Sequence, residues 1–224
     1  MELNIAEKYL LLIQHPIKSK FIVENPVKGL GLVGSILLDL TDSGCLEIEN
    51  KRFIVKSADS NLSPVHLDVL QQIAKSKKAR TVKSWINKFS KRSKRYQKAI
   101  LQGLKDKDLI KIHNKSFLWI KYYNTQITDI KIREGIINDL REIIFNDKKA
   151  SEKDIMTLAI IKACNLHKII AKSKEEKNVC KKKLKEIMQS DLVTNGVSQI
   201  IKETQAALVL VIAGAVIVTS AGSN

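Results

Sequence analysis

The sequence predicts a mainly α-helical protein folded as one domain over residues 1–224. Apolar residues recur at helical spacing through most of the chain, only two short stretches alternate as paired strands do, and no internal repeat or Pro/Gly/Ser-rich linker divides it. With 224 residues, 44% of them hydrophobic, the chain is long enough to bury a sizeable core.

Taken in order, residues 5–14 read as a short helix, and Pro26 opens a second through VKGLGLVGSILLDL. Leu30, Val33, Leu37 and Leu40 share a face of it, and Asp42, Ser43 and Gly44 supply the stop. Two short strands follow at 46–48 and 53–55, joined through Glu49, Asn50 and Lys51. Ser63 and Pro64 start the next helix, with Val65, Leu67, Leu70 and Ile73 on or near one side. Residues 75–98 predict two helices whose apolar stripes, Trp85–Ile86–Phe89 and then Ile100–Leu101–Leu104, leave the charges on the opposite faces. The alternation in DLIKIH and SFLWIKYY signals a β-hairpin turning around Asn114 and Lys115. Helices over 129–145, 151–171, 174–189 and from about 197 complete the chain. Residues 206–218 (AALVLVIAGAVIV) carry no charge, yet the run is shorter than the roughly 20 residues that span a bilayer. A helix apolar on every side must be hidden, so this one is expected to be buried in the core.

Lys and Arg number 39 against 23 Asp and Glu, a net charge of +16 that favours nucleic acid or acidic lipid as a partner. The charge is concentrated at 75–98, a stretch with no acidic residue. Such a stretch repels itself unless an anion relieves it, and Lys91, Arg92, Lys94, Arg95 and Lys98 are its candidate phosphate-binding residues. The three cysteines, Cys45, Cys164 and Cys180, lack the spacing of a structural zinc site and suit a reducing cytoplasm. The opening MELNIAEKYLLL does not read as a signal peptide, because acidic residues stand where a basic region belongs.

His15, His66, His113 and His167 fall in four separate segments without a metalloprotease or hydrolase motif. Cys164 and His167 make an i, i+3 pair with no third ligand suggested. Gly29, Gly31 and Gly34 spell G-x-G-x-x-G after the strand-like FIV, but a dinucleotide site needs a βαβ unit that nothing downstream supplies. The glycines are therefore expected to let two helices approach closely. No catalytic residue, metal or cofactor is expected.

The segments LNIAEKYLLL, GLVGSILLDL with SGCLEIE, SPVHLDVLQQI, the SWI at 84–86 and LKDKDLIKIHNKSFLWI resemble the Golgi phosphoprotein family in order and spacing. So do the helix carrying Arg133 and Arg141, LAIIKACNLHKIIA, and the alanine- and valine-rich last helix. The likeness runs from about residue 3 to 222 and is closest to bacterial members. It implies a helical bundle with a protruding hairpin at 110–122 that joins copies of the protein, so Phe117 and Trp119 become candidate oligomerisation residues. Eukaryotic members hold phosphatidylinositol 4-phosphate with a Trp, an Arg in the glycine-bearing helix and two later basic residues. Those positions fall here at Glu24, Val33, Lys94 and Gln97.

The expected function is a non-enzymatic peripheral protein on the cytoplasmic face of a membrane, attached to anionic phospholipid by its basic face and oligomeric through the hairpin. Two alternatives share the same residues. A helix, basic helix and hairpin over 81–122 also follow the order of a winged helix, with 92–102 as recognition helix on nucleic acid. A scaffold that meets another protein through the hairpin is the other.

Overall fold

The computed structural model describes residues 2–56, 62–117, 119–189 and 195–221. In chain order the elements are α1 (Ile5–Ile13), α2 (Val27–Asp42), β1 (Leu46–Glu49), β2 (Arg52–Val55), α3 (Pro64–Ala74), α4 (Val82–Ser90) and α5 (Ser93–Asp106). There follow β3 (Ile110–Phe117), β4 (Ile120–Ile127), α6 (Ile130–Phe145), α7 (Glu152–Ala163), α8 (His167–Ile170), α9 (Lys174–Gln189) and α10 (Asn195–Ala221). Each strand pair is an antiparallel two-stranded sheet, so helices carry the core and the mainly α expectation holds.

The centre of the bundle is α2, in which every residue from Gly29 to Thr41 is buried. It packs against α1, α4, α5, α7 and α10. The G-x-G-x-x-G sequence lies inside this helix and follows no strand. A Cβ on Gly31 would stand 2.3 Å from Tyr9 Oη, and one on Gly34 would stand 2.6 Å from Leu208 Cδ1, so these glycines let α1 and α10 close on α2.

The buried end of α1 is capped from two sides. Asn4 accepts from the Glu7 N–H at 2.8 Å, and Glu7 returns the bond to the Asn4 N–H. The N–H groups of Ile5 and Ala6, which no helix can satisfy internally, donate to the Asp39 carboxylate of α2 at 2.6 and 3.1 Å. Asp39 also meets His66 Nε2 at 3.0 Å, and His66 Nδ1 meets Ser63 Oγ at 2.6 Å, tying α3 to the same point.

Several boundaries differ from the sequence reading. The hairpin does not turn at Asn114 and Lys115: both lie within β3, and the chain reverses between Phe117 and Ile120 with Trp119 at φ 67°. Pairing continues from Ile110↔Ile127 at the buried base to Phe117↔Ile120 at the tip, so the hairpin extends to residue 127 rather than 122. Cross-strand pairing over that length outweighs the turn preference of one asparagine. The helix expected over 151–171 is two helices, because Asn165 adopts φ 55° and closes α7 with a Schellman motif. In that motif the Leu166 N–H donates to Ile161 O at 2.9 Å and the Asn165 N–H to Lys162 O at 3.1 Å.

Over residues 199–215 the last helix is buried on one side only, and the side chains of 216–218 lie outside the described residues. Ile200, Ile201, Thr204, Ala207, Leu208 and Val211 face the core, while Ala206, Val209 and Leu210 are exposed. The sequence expectation of complete burial overshoots because the central place belongs to α2, and α10 lies outside it. Among the described residues, no helix is long and apolar enough to cross a membrane.

Candidate anion-binding site

The basic stretch divides into parts with different tasks. Trp85, Ile86 and Phe89 of α4 are buried, with the Trp85 and Phe89 rings stacked 5.2 Å apart. Lys88 Nζ lies 4.7 Å from the centre of the Trp85 ring and the Arg80 guanidinium 5.6 Å from it, so these two cations cover an aromatic face. Lys91 and Arg92 are exposed at the junction of α4 and α5, where they are C-cap and N-cap respectively. Arg92 is close enough to Lys88 to lower that ammonium's pKa, after the larger effect of burial and that of Arg80.

Lys94, Arg95 and Lys98 point elsewhere. Together with Lys28 of α2 and Tyr123 and Thr125 of β4 they line a groove of about 500 Å³. Gln97 also lines it. Thr125 Oγ1 donates to Gln14 Oε1 at 2.7 Å and Gln14 Nε2 donates to Thr125 O at 2.8 Å, which fixes the hairpin wall of the groove to the end of α1. Lys28 Nζ sits 4.8 Å from the centre of the Phe21 ring. Burial pushes the Lys28 ammonium below its usual pKa, and the neighbouring Lys94 pushes the same way. Burial also raises the Tyr123 hydroxyl.

Among the described residues none of these four cations is ion-paired with a carboxylate. The backbone adds to the field, because α5 begins at Ser93 with no side-chain cap and no acid in its first turn. Lys94 and Arg95 thus stand at the positive end of a helix dipole, where like charge is unfavourable and an anion is stabilised.

The sequence-family profile described as Golgi phosphoprotein 3 (GPP34) matches residues 5–204. The chain belongs to the Golgi phosphoprotein 3 family. No curated protein matches the sequence. For a Golgi phosphoprotein 3 family chain the groove is placed informatively: Lys94 and Gln97, where the resemblance puts the family's later basic pair, both line it. Val33, at the position where the resemblance puts the family's first Arg, is buried in the core at 2% exposure, while Lys28 of the same helix lines the groove. Glu24 is exposed and does not line the groove. Lys28 escaped the sequence reading because it stands alone, far from the dense basic run; its only signal was its place just before the glycine-bearing stretch.

Trp119, at the tip of the hairpin, is 96% exposed. Phe117 ends β3 opposite Ile120, and its side chain lies outside the described residues. Cys164 lies against Tyr9, and burial pushes its thiol up to about 12. His167 Nδ1 meets Asn165 Oδ1 at 3.0 Å. The Ser63, His66 and Asp39 chain has the residue types of a hydrolase triad, but the Asp39 carboxylate is engaged as a helix cap and the Ser63 oxygen faces Nδ1 of the ring, so we assign it to the fold.

Proposed function

We propose that this Golgi phosphoprotein 3 family chain is a non-enzymatic peripheral membrane protein that binds the phosphate of an anionic phospholipid, of phosphoinositide type, in the groove between α2, α5 and β4. The observation that carries this reading is the convergence of Lys28, Lys94, Arg95 and Lys98 on one groove without a carboxylate partner among the described residues. Burial and then the neighbouring Lys94 lower the Lys28 pKa, and a phosphate in the groove would favour its charged form. Lys91 and Arg92, exposed beside the groove, add general attraction to the acidic surface. The exposed Trp119 offers a contact for a second copy at the hairpin tip.

Vesicle flotation tests the reading. Recovery with acidic vesicles is expected to exceed that with neutral ones at low salt and to fall as salt rises. Each cation near the surface contributes about 1 kcal/mol, so replacing Lys28, Lys94 and Lys98 by Ala together is expected to weaken attachment on the order of a hundredfold. Equal recovery with both vesicle types sinks the proposal. A shift of duplex DNA at low salt, without attachment to acidic vesicles, supports the winged-helix alternative instead.

A further inference from the structure

A second cavity, of about 580 Å³, lies beside the basic groove between α2, α4, α5 and α10. Its size is that of a small-ligand site. Pro26 and Leu30 of the α2 segment form one wall, and Leu210 and Val211 of α10 form another. Lys83 and Lys94 stand at its edge, and among the described residues neither is ion-paired. Lys94 and Asn25 line both this cavity and the groove, so the two are neighbours that share side chains.

We propose that this cavity takes an acyl chain of the anionic phospholipid whose phosphate occupies the groove. The inference rests on the head-group reading above and extends it from the phosphate to the chain. Three features of the structure agree. Leu210 is 58% exposed and Val209 48%, so α10 keeps an apolar strip in water at this edge instead of a charged one. Gly214 lines the cavity, and a Cβ built there meets nothing within 4 Å among the described residues, which marks open space rather than close packing. The lining is that of an amphiphile's site: α2 and α10 bring carbon through Leu30, Leu210 and Val211, α4 and α5 bring polar groups through Lys83, Asn87, Ser90, Ser93 and Lys94, and Lys94 is shared with the groove. A lipid with its phosphate at Lys94 would have its glycerol esters next to this cavity, because Lys94 lines both. Membrane attachment would then combine Coulomb attraction, which salt screens, with burial of hydrocarbon, which salt does not weaken.

Calorimetric titration of the full chain with alkyl phosphates below their micelle concentrations separates the two parts. Each methylene removed from water multiplies affinity by about four, so dodecyl phosphate, with eight more methylenes than butyl phosphate, is expected to bind about 250-fold tighter with half of them buried and more with all of them buried. Gly214→Leu fills the open space and is expected to remove most of that gain while butyl phosphate binding stays unchanged. Leu210→Gln, at an exposed position, makes the wall polar and is expected to reduce the same gain if the glycine variant does not fold. Equal affinities for the two phosphates, or a chain-length gain that survives both substitutions, overturn the inference. If Lys28→Ala and Lys94→Ala leave dodecyl phosphate affinity unchanged while Gly214→Leu abolishes it, the chain site stands and the head-group reading falls.

Discussion

Asp39 is the buried group on which the most elements depend, and its replacement has a magnitude that follows from counted partners. Its Oδ1 accepts from Ile5 N–H, while its Oδ2 accepts from Ala6 N–H and faces His66 Nε2. Burial pushes the Asp39 carboxyl pKa up, and the His66 contact and the two backbone N–H bonds pull it back down. Asp39→Asn keeps the shape but has one oxygen. If that oxygen serves Ile5, the new NH2 opposes the Ala6 N–H and leaves a buried donor unsatisfied, at about 1–3 kcal/mol. Asp39→Ala strips both N–H groups and the imidazole of their acceptor at once, at about 3–5 kcal/mol. For a chain of this length each kcal/mol lowers Tm by about 2–4 °C, so the Asn variant is expected to melt several degrees below the parent and the Ala variant lower still. Circular dichroism on heating, with urea unfolding as a second measure, checks the order. An Asn variant within about 1 °C of the parent, or one less stable than the Ala variant, would falsify the assignment of Asp39 as the cap that joins α1, α2 and α3.

Three further outcomes follow from other parts of the molecule. Gly31→Ala pushes a methyl into Tyr9 and Cys164 and is expected to cost about 1–3 kcal/mol, whereas Gly103→Ala, with open space around it in α5, is expected to stabilise by about 0.5–1 kcal/mol; equal urea midpoints refute the close approach of α1 and α2. Arg141 holds Glu176 through two bonds of 2.8 and 2.9 Å and, with the Lys172 N–H, lowers its carboxyl from 4.5 to about 2. A carboxyl depressed on folding stabilises above its unfolded pKa and loses that contribution as pH falls through the folded one, so stability should decline between about pH 4.5 and 2 less steeply in Glu176→Gln, and parallel profiles refute the pair. Trp119 is exposed and Trp85 is 2% exposed, so acrylamide should quench Trp119 emission strongly and leave Trp119→Phe nearly unquenched; protection of Trp119 at high protein concentration would report self-association through the hairpin tip.

Local signals in the sequence located most elements because the chemistry that sets them is local. Asn50 and Lys51 form the tight connection of β1 and β2 with φ 49° and 61°, and α9 runs from Lys174 to Gln189 as its apolar spacing implies. Where the reading failed, a nonlocal partner decided. Asn114 prefers a turn, but Tyr123 lies opposite it and extends the strand. Residues 206–218 are uniformly apolar, and nothing in that stretch tells which helix takes the centre. For the groove, Lys94, Arg95 and Lys98 were legible as a dense basic run, while Lys91 and Arg92 lie at the helix junction and Lys28 enters from α2. Arg80 and Lys88 are absorbed by Trp85, a use that charge counting does not reveal.

The link between Gln14 and Thr125 anchors the base of the hairpin beside the groove. Tyr123 and Thr125 belong to β4 and to the groove wall alike, and Gln14 holds that wall to α1 at the point where the strand leaves the bundle. Because one strand supplies both the arm and the wall, a shift of β4 at its base would move Tyr123 and Thr125 and with them the side of the groove that faces the four cations.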